Sequence, residues 1–170
     1  MRLLAALLLI ASPAAAEAPA FSFASIDGGS YSTADWRGKP VLVVNTASLC
    51  GFTPQYENLQ ELADRYEGRA VVLAVPSDDF AQELASEAEV KAYCDANFDL
   101  TLPMTTIQHV AKGQVHPFYG WLRDAHGFVP GWNFNKVLLD GKGEFIQSWG
   151  SATKPDARPI TSAIDALIAP

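Results

Sequence analysis

Residues 41–44 form an uninterrupted apolar run, Val-Leu-Val-Val, and residues 70–75 repeat the pattern as Ala-Val-Val-Leu-Ala-Val. Short valine-rich runs without polar alternation fit strands buried on both faces of a sheet. Between them, Tyr56, Leu59, Leu62, Ala63 and Tyr66 recur at helical spacing, with Pro54 suited to a helix start and Gly68 to a stop. Ser86 and Glu89 make a capping box for a helix over 86–93; residues 117–123 have helical composition, and 160–168 predict a closing helix. Two hairpins are expected. Residues 21–23 and 30–31 flank Asp27-Gly28-Gly29, and residues 134–139 and 144–149 flank Asp140-Gly141-Lys142-Gly143. Strands alternating with helices, then a hairpin and a last helix, predict an α/β protein: a central mixed sheet flanked by helices, with an N-terminal hairpin.

The first residues follow a different pattern. Arg2, the apolar stretch 3–10 and the small residues Ala14 and Ala16 read as a secretory signal over 1–16, leaving one domain over 17–170 that begins near Glu17 or Ala18. The apolar stretch is shorter than the roughly 20 residues of a membrane-spanning helix, and no comparable run follows, so no integral membrane segment is expected. Export, with the periplasm as destination, is the corresponding expectation. Because Arg2 is the only charge in the leader, its removal takes the net charge from -7 to -8. Such an acidic chain argues against nucleic acid as a partner.

A domain of this size can bury a full core without covalent staples, so the two cysteines, Cys50 and Cys94, are not required for stability. Cys50 lies just past the first buried strand and just before a helix N-terminus. There the helix dipole and free backbone N–H groups favour the thiolate, the reactive form of cysteine. The residues after it are Gly51-Phe52-Thr53, so there is no local C-x-x-C pair. A lone thiolate suits attack on an electrophile such as a peroxide, leaving a sulfenic acid that a second thiol can condense with. Cys94 is the one other thiol in the chain, 44 residues on.

The segment Asn45-Thr46-Ala47-Ser48-Leu49-Cys50-Gly51-Phe52-Thr53-Pro54-Gln55-Tyr56 resembles the active-site signature of the glutathione peroxidase family. The resemblance continues through Val75-Pro76-Ser77-Asp78-Asp79-Phe80, Cys94, Leu102-Pro103-Met104 and Gly131-Trp132-Asn133-Phe134-Asn135-Lys136. It implies a thioredoxin-like fold and a peroxidase acting on hydrogen peroxide or organic hydroperoxides. Cys50 would be the peroxidatic residue, and Trp132 and Asn133 would match the family's active-site tryptophan and asparagine. Indole and amide N–H groups are suited to stabilising a thiolate and the developing oxyanion. The position where the family usually has glutamine is Asp79 here, and the G-G-Q-E-P stretch that follows is altered to Ala81-Gln82-Glu83-Leu84-Ala85. An ionised Asp79 would oppose the thiolate, whereas a protonated one could donate to it.

Cys94 falls where thioredoxin-dependent members place their resolving cysteine. The resemblance therefore implies an internal disulfide and a thioredoxin-like protein, or else glutathione, as reductant, with no bound cofactor. The short stretch between Gly113 and Gly131 resembles members that lack the assembly insertion, implying a monomer.

Other readings are weaker. His109, His116 and His126 match no common metal-ligand spacing. Adjacent Asp78 and Asp79 in a Pro-Ser-Asp-Asp turn stabilise the turn more often than they perform hydrolysis. A thioredoxin-like thiol-disulfide exchange protein is disfavoured by the missing C-x-x-C, and a non-catalytic thiol or copper-binding module by the ligand spacing.

Overall fold

The computed structural model describes residues 18–168, so the leader expected over 1–16 lies outside the described residues. The chain opens with the expected hairpin, β1 (Ser22–Ala24) against antiparallel β2 (Ser30–Ser32), with Gly28 and Gly29 both at positive φ in the turn. A short 3-10 helix at Thr33–Trp36, which the residue pattern did not announce, follows. Then come β3 (Val41–Thr46), α1 (Gln55–Arg65), β4 (Val71–Pro76), α2 (Glu87–Phe98), α3 (Pro117–His126), β5 (Lys136–Leu139), β6 (Phe145–Trp149) and α4 (Arg158–Ile168).

Four strands form the main sheet in the order β4-β3-β5-β6. The β3–β4 pair is parallel, while β3–β5 and β5–β6 are antiparallel, as a mixed sheet requires. All six residues of β3 are buried because both faces of the sheet are covered. Leu42, Val44, Val72, Ala74 and Leu138 point to one face, where they meet Leu59 and Leu62 of α1, Val90 and Cys94 of α2 and Ile160 and Ile164 of α4. Val41, Val43, Leu73, Val75, Val137 and Leu139 point to the other, against Phe23 of the hairpin and Phe118, Tyr119 and Leu122 of α3.

Two boundaries differ from expectation in ways that matter. Helix α2 extends to Phe98, so Cys94 sits inside it rather than at its end; Ser86 accepts from the Glu89 N–H, and Asp99 closes the helix in a left-handed conformation. Strand β5 begins at Lys136, and Phe134 and Asn135 belong to the preceding turn. Phe134 has φ 58 and donates its N–H to the Asn45 carbonyl, which breaks strand geometry there.

Candidate active site

Cys50 lies beyond the carboxyl end of β3, in a run of tight turns that leads into α1. The N–H groups of Thr53, Gln55, Tyr56 and Glu57 bond to the carbonyls of Cys50, Phe52, Thr53 and Pro54, three residues back in the first and last three pairs alike. The helical winding therefore reaches back to Cys50, whose turn supplies backbone N–H groups with no carbonyl partner within the winding. One of them, Phe52 N–H, donates to the Cys50 sulfur at 3.4 Å. Thr53 ties this turn shut: its hydroxyl accepts the Cys50 N–H at 3.0 Å and donates to the Ala47 carbonyl at 2.9 Å. The thiol is 7% exposed, while the preceding Leu49 is 59% exposed.

The turn carrying Trp132 and Asn133 is anchored on β3 through Asn45. Its side chain donates to the Trp132 carbonyl at 3.0 Å and accepts the Asn135 N–H at 3.1 Å. Trp132 is 41% exposed and lies against Phe80, ring centroids 5.3 Å apart. Asn133 is fully buried and donates to the Gln82 side-chain carbonyl at 3.0 Å. Among the described residues, the Phe52 amide is the one hydrogen-bond donor to the Cys50 sulfur, so the direct donation expected of Trp132 and Asn133 is absent from this arrangement.

Among the described residues, Asp79 makes no hydrogen bond to the Cys50 sulfur. Its buried carboxylate accepts His109 Nδ1 at 2.7 Å and the backbone N–H groups of Val110, Ala111 and Lys112 at 2.7, 2.7 and 3.0 Å. Burial pushes the carboxyl upward, but the bonds from His109, Ala111, Lys112 and Val110 outweigh it and hold the group below its ordinary range. Of the two states expected for Asp79, the side chain takes the ionised one, an acceptor that organises the 109–112 turn.

The segment after Asp79 makes the contacts instead. The Gln82 backbone carbonyl accepts the Leu49 N–H at 2.9 Å, and the Glu83 carboxylate accepts those of Ser48 and Leu84, both at 2.9 Å. Burial pushes the Glu83 carboxyl up despite those bonds. In the sequence this stretch departs from the family pattern, and the Gln82-Glu83 pair it retains is the one signal of these contacts.

Cys94 is 1% exposed and belongs to the same apolar cluster as Cys50, and both cysteines are free thiols. Burial pushes the Cys94 thiol up to about 11, against a smaller opposing effect of the neighbouring Tyr56 hydroxyl. Among the described residues, no group of three His, Cys, Asp or Glu side chains is gathered in a way that could hold a metal.

Comparison with known proteins agrees with this architecture. The family model for glutathione peroxidase matches residues 19–123. The chain is 37% identical over 142 residues to a glutathione peroxidase of Lactococcus lactis, covering 80% of this chain and 90% of the relative. It is 37% identical over 160 residues to a hydroperoxy fatty acid reductase of Synechocystis, covering 87% and 94%. The apo crystal structure of Trgpx superposes with a TM-score of 0.66 at 30% identity, covering 87% of this chain and 93% of that one. The turn-held thiol beyond β3, the Trp132-Asn133 turn fastened to Asn45 and these likenesses together place the chain, on its thioredoxin-like fold, in the glutathione peroxidase family.

Proposed function

We propose that this thiol peroxidase, an oxidoreductase by family, uses Cys50 as its peroxidatic residue. The observation that carries the assignment is the position of the Cys50 sulfur at the head of the α1 winding, accepting an amide N–H that would also stabilise a thiolate. The thiolate attacks one peroxide oxygen, the O–O bond breaks, and water or an alcohol leaves after taking a proton, so that sulfur is oxidised to sulfenic acid. Cys94 then condenses with that sulfenic acid, releasing water and forming a disulfide. Two electrons from a thioredoxin-like dithiol, or from two glutathione thiols, restore both cysteines by exchange. Support for Cys94 as the resolving thiol comes from its place in the Cys50 cluster, and support for a thioredoxin-like reductant from that second thiol.

Organic hydroperoxides fit the surroundings of Cys50, since the exposed Leu49 and Trp132 offer apolar surface, and the Synechocystis relative is named for a fatty acid hydroperoxide. Arg2, the 3–10 stretch, Ala14 and Ala16 support export, with the periplasm as destination, and the short 113–131 stretch supports a monomer. N-terminal sequencing of the exported protein should read from residue 17 or 18.

The deciding experiment follows peroxide consumption with thioredoxin and its reductase, or with glutathione, in wild type, Cys50→Ser and Cys94→Ser. Cys50→Ser should abolish turnover, and Cys94→Ser should accumulate a Cys50 sulfenic acid while losing thioredoxin-supported turnover. Undiminished turnover in Cys50→Ser would sink the assignment.

A further inference from the structure

Lys136 opens β5 with its side chain fully buried, opposite Val44 across the β3–β5 pair and therefore on the sheet face that also holds Ala47 and Cys50. Its ammonium donates to the Gln55 side-chain carbonyl at 2.6 Å and to the Ser151 carbonyl at 3.3 Å. Gln55 in turn donates to the same Ser151 carbonyl at 2.7 Å. Both partners are neutral, and among the described residues no carboxylate is paired with this cation.

This node touches both halves of the site. Gln55 is the first residue of α1; its N–H bonds to the Phe52 carbonyl at 2.9 Å, and the Phe52 N–H bonds to the Cys50 sulfur at 3.4 Å. Three hydrogen bonds therefore lead from the ammonium to the sulfur. On the other side, the Ser151 hydroxyl donates to the Asn133 carbonyl at 2.6 Å and accepts from Asn135 at 3.0 Å.

A neutral donor could satisfy the two carbonyls at a lower desolvation cost than an ammonium. Burial already pushes Lys136 down to about 7, so its proton is held weakly unless an anion lies nearby. The buried titratable groups on this side of the sheet are Cys50 in the turn before α1, Tyr56 on α1, Tyr66 at its end, Cys94 on α2 and Glu83 in the loop after β4; β6 and the 151 turn bring Trp149 and Ser151, neither of them charged. Burial keeps the Tyr56 and Tyr66 hydroxyls and the Cys94 thiol protonated, while Glu83 places one oxygen on the Ser48 and Leu84 N–H groups and leaves the other buried without a partner, neither of them bonded to Lys136. Cys50 is the one of these groups that the hydrogen-bonded route from Lys136 through Gln55 and Phe52 reaches.

We propose that Lys136 is a positioning residue of the peroxidatic centre: held by Gln55 and Ser151, its ammonium is the buried counter-charge of the Cys50 thiolate and fixes the head of α1 against the Trp132-Asn133 turn. The inference rests on Cys50 being the attacking thiol. It goes beyond that reading in assigning the charge that supports the thiolate to a side chain that never touches the substrate.

Two measurements test it. In a Cys94→Ser background, the pH profile of Cys50 alkylation by iodoacetamide should move to higher pH in Lys136→Met, with the rate at pH 7 falling about tenfold, and move back in Lys136→Arg. An unchanged profile in folded Lys136→Met overturns the proposal.

The second measurement needs no change at Lys136. Coupling is reciprocal, so the Lys136 ammonium, followed by NMR of 13C-ε-labelled lysine in the full-length protein, should titrate at lower pH in Cys50→Ser than in wild type. If it does not move there, or moves only in Glu83→Gln, the proposal fails even where Lys136→Met does not fold. Peroxide turnover in Cys50→Ser reports separately on the reading of Cys50 itself.

Discussion

The amide of Asn133 donates to the side-chain carbonyl of Gln82 at 3.0 Å, while the Gln82 backbone carbonyl holds the N–H of Leu49, the residue before Cys50, at 2.9 Å. One residue thus bridges the turn bearing the thiol and the turn bearing Asn133. Removing its amide by Gln82→Ala should lower the rate constant for oxidation by peroxide about tenfold, the equivalent of one lost hydrogen bond in the site. Stopped-flow measurement of sulfenic acid formation checks this; an unchanged rate would leave Gln82 a loop residue only.

Asp79→Asn should behave in the opposite way. The amide cannot accept all four donors that the carboxylate now satisfies, and stability should fall by about 2 kcal/mol with peroxide turnover little changed. Because the folded-state carboxyl is held below its unfolded value, its stabilisation is present above about pH 4 and disappears as the pH falls through the folded value. Urea unfolding at pH 7 and pH 3 should show this acid-dependent component in wild type and not in Asp79→Asn.

The contrast between these two residues shows how far sequence patterns reach. Runs such as 41–44, the 56–66 spacing and the Ser86-Glu89 box specify local structure, and each appears as a strand, helix or cap. The segments around Cys50 and Trp132 were legible by another route, their resemblance to a family signature, and that family is the one the chain belongs to. Which side chain of the 79–83 loop meets Asn133 depends on a long-range competition for the Asp79 carboxylate, won by the free N–H groups of 110–112, and no periodicity encodes that. The left-handed Phe134 was hidden for the same reason: its apolar ring reads as strand, but Asn45 captures its backbone.

His116 links the hairpin to α3. Its Nδ1 accepts the Phe118 N–H at 3.2 Å, its Nε2 donates to the Ser22 carbonyl at 3.0 Å, and its ring stacks on Phe23 with centroids 4.1 Å apart. Burial lowers its affinity for a second proton, against a smaller opposing effect of the Ser22 carbonyl. The folded state therefore favours neutral imidazole, so this contribution is complete above the unfolded value of about 6.5 and declines as the pH drops towards the folded one. Urea midpoints measured from pH 7.5 to 5 should fall more steeply in wild type than in His116→Gln.

Native-state alkylation should separate the two thiols. At pH 8 iodoacetamide should modify Cys50 and leave Cys94 unlabelled, because Cys94 is enclosed and its thiol is raised to about 11. Peptide mass spectrometry after brief labelling measures this, and addition of 6 M urea should make both sites react; equal labelling in the native protein would contradict the placement of Cys94 on the inner face of α2.

The Asn45 side chain reaches Trp132 across 87 residues of chain, with α1, β4, α2 and α3 all lying between. Closing so long a loop comes late in folding, because its entropy is lost before the contacts that repay it are made. Until that loop closes, the Trp132-Asn133 turn has no anchor on β3 and the site around Cys50 is incomplete. The onset of peroxide reduction becomes a clock for the final β3–β5 closure, one that should lag behind the far-ultraviolet signal of the helices.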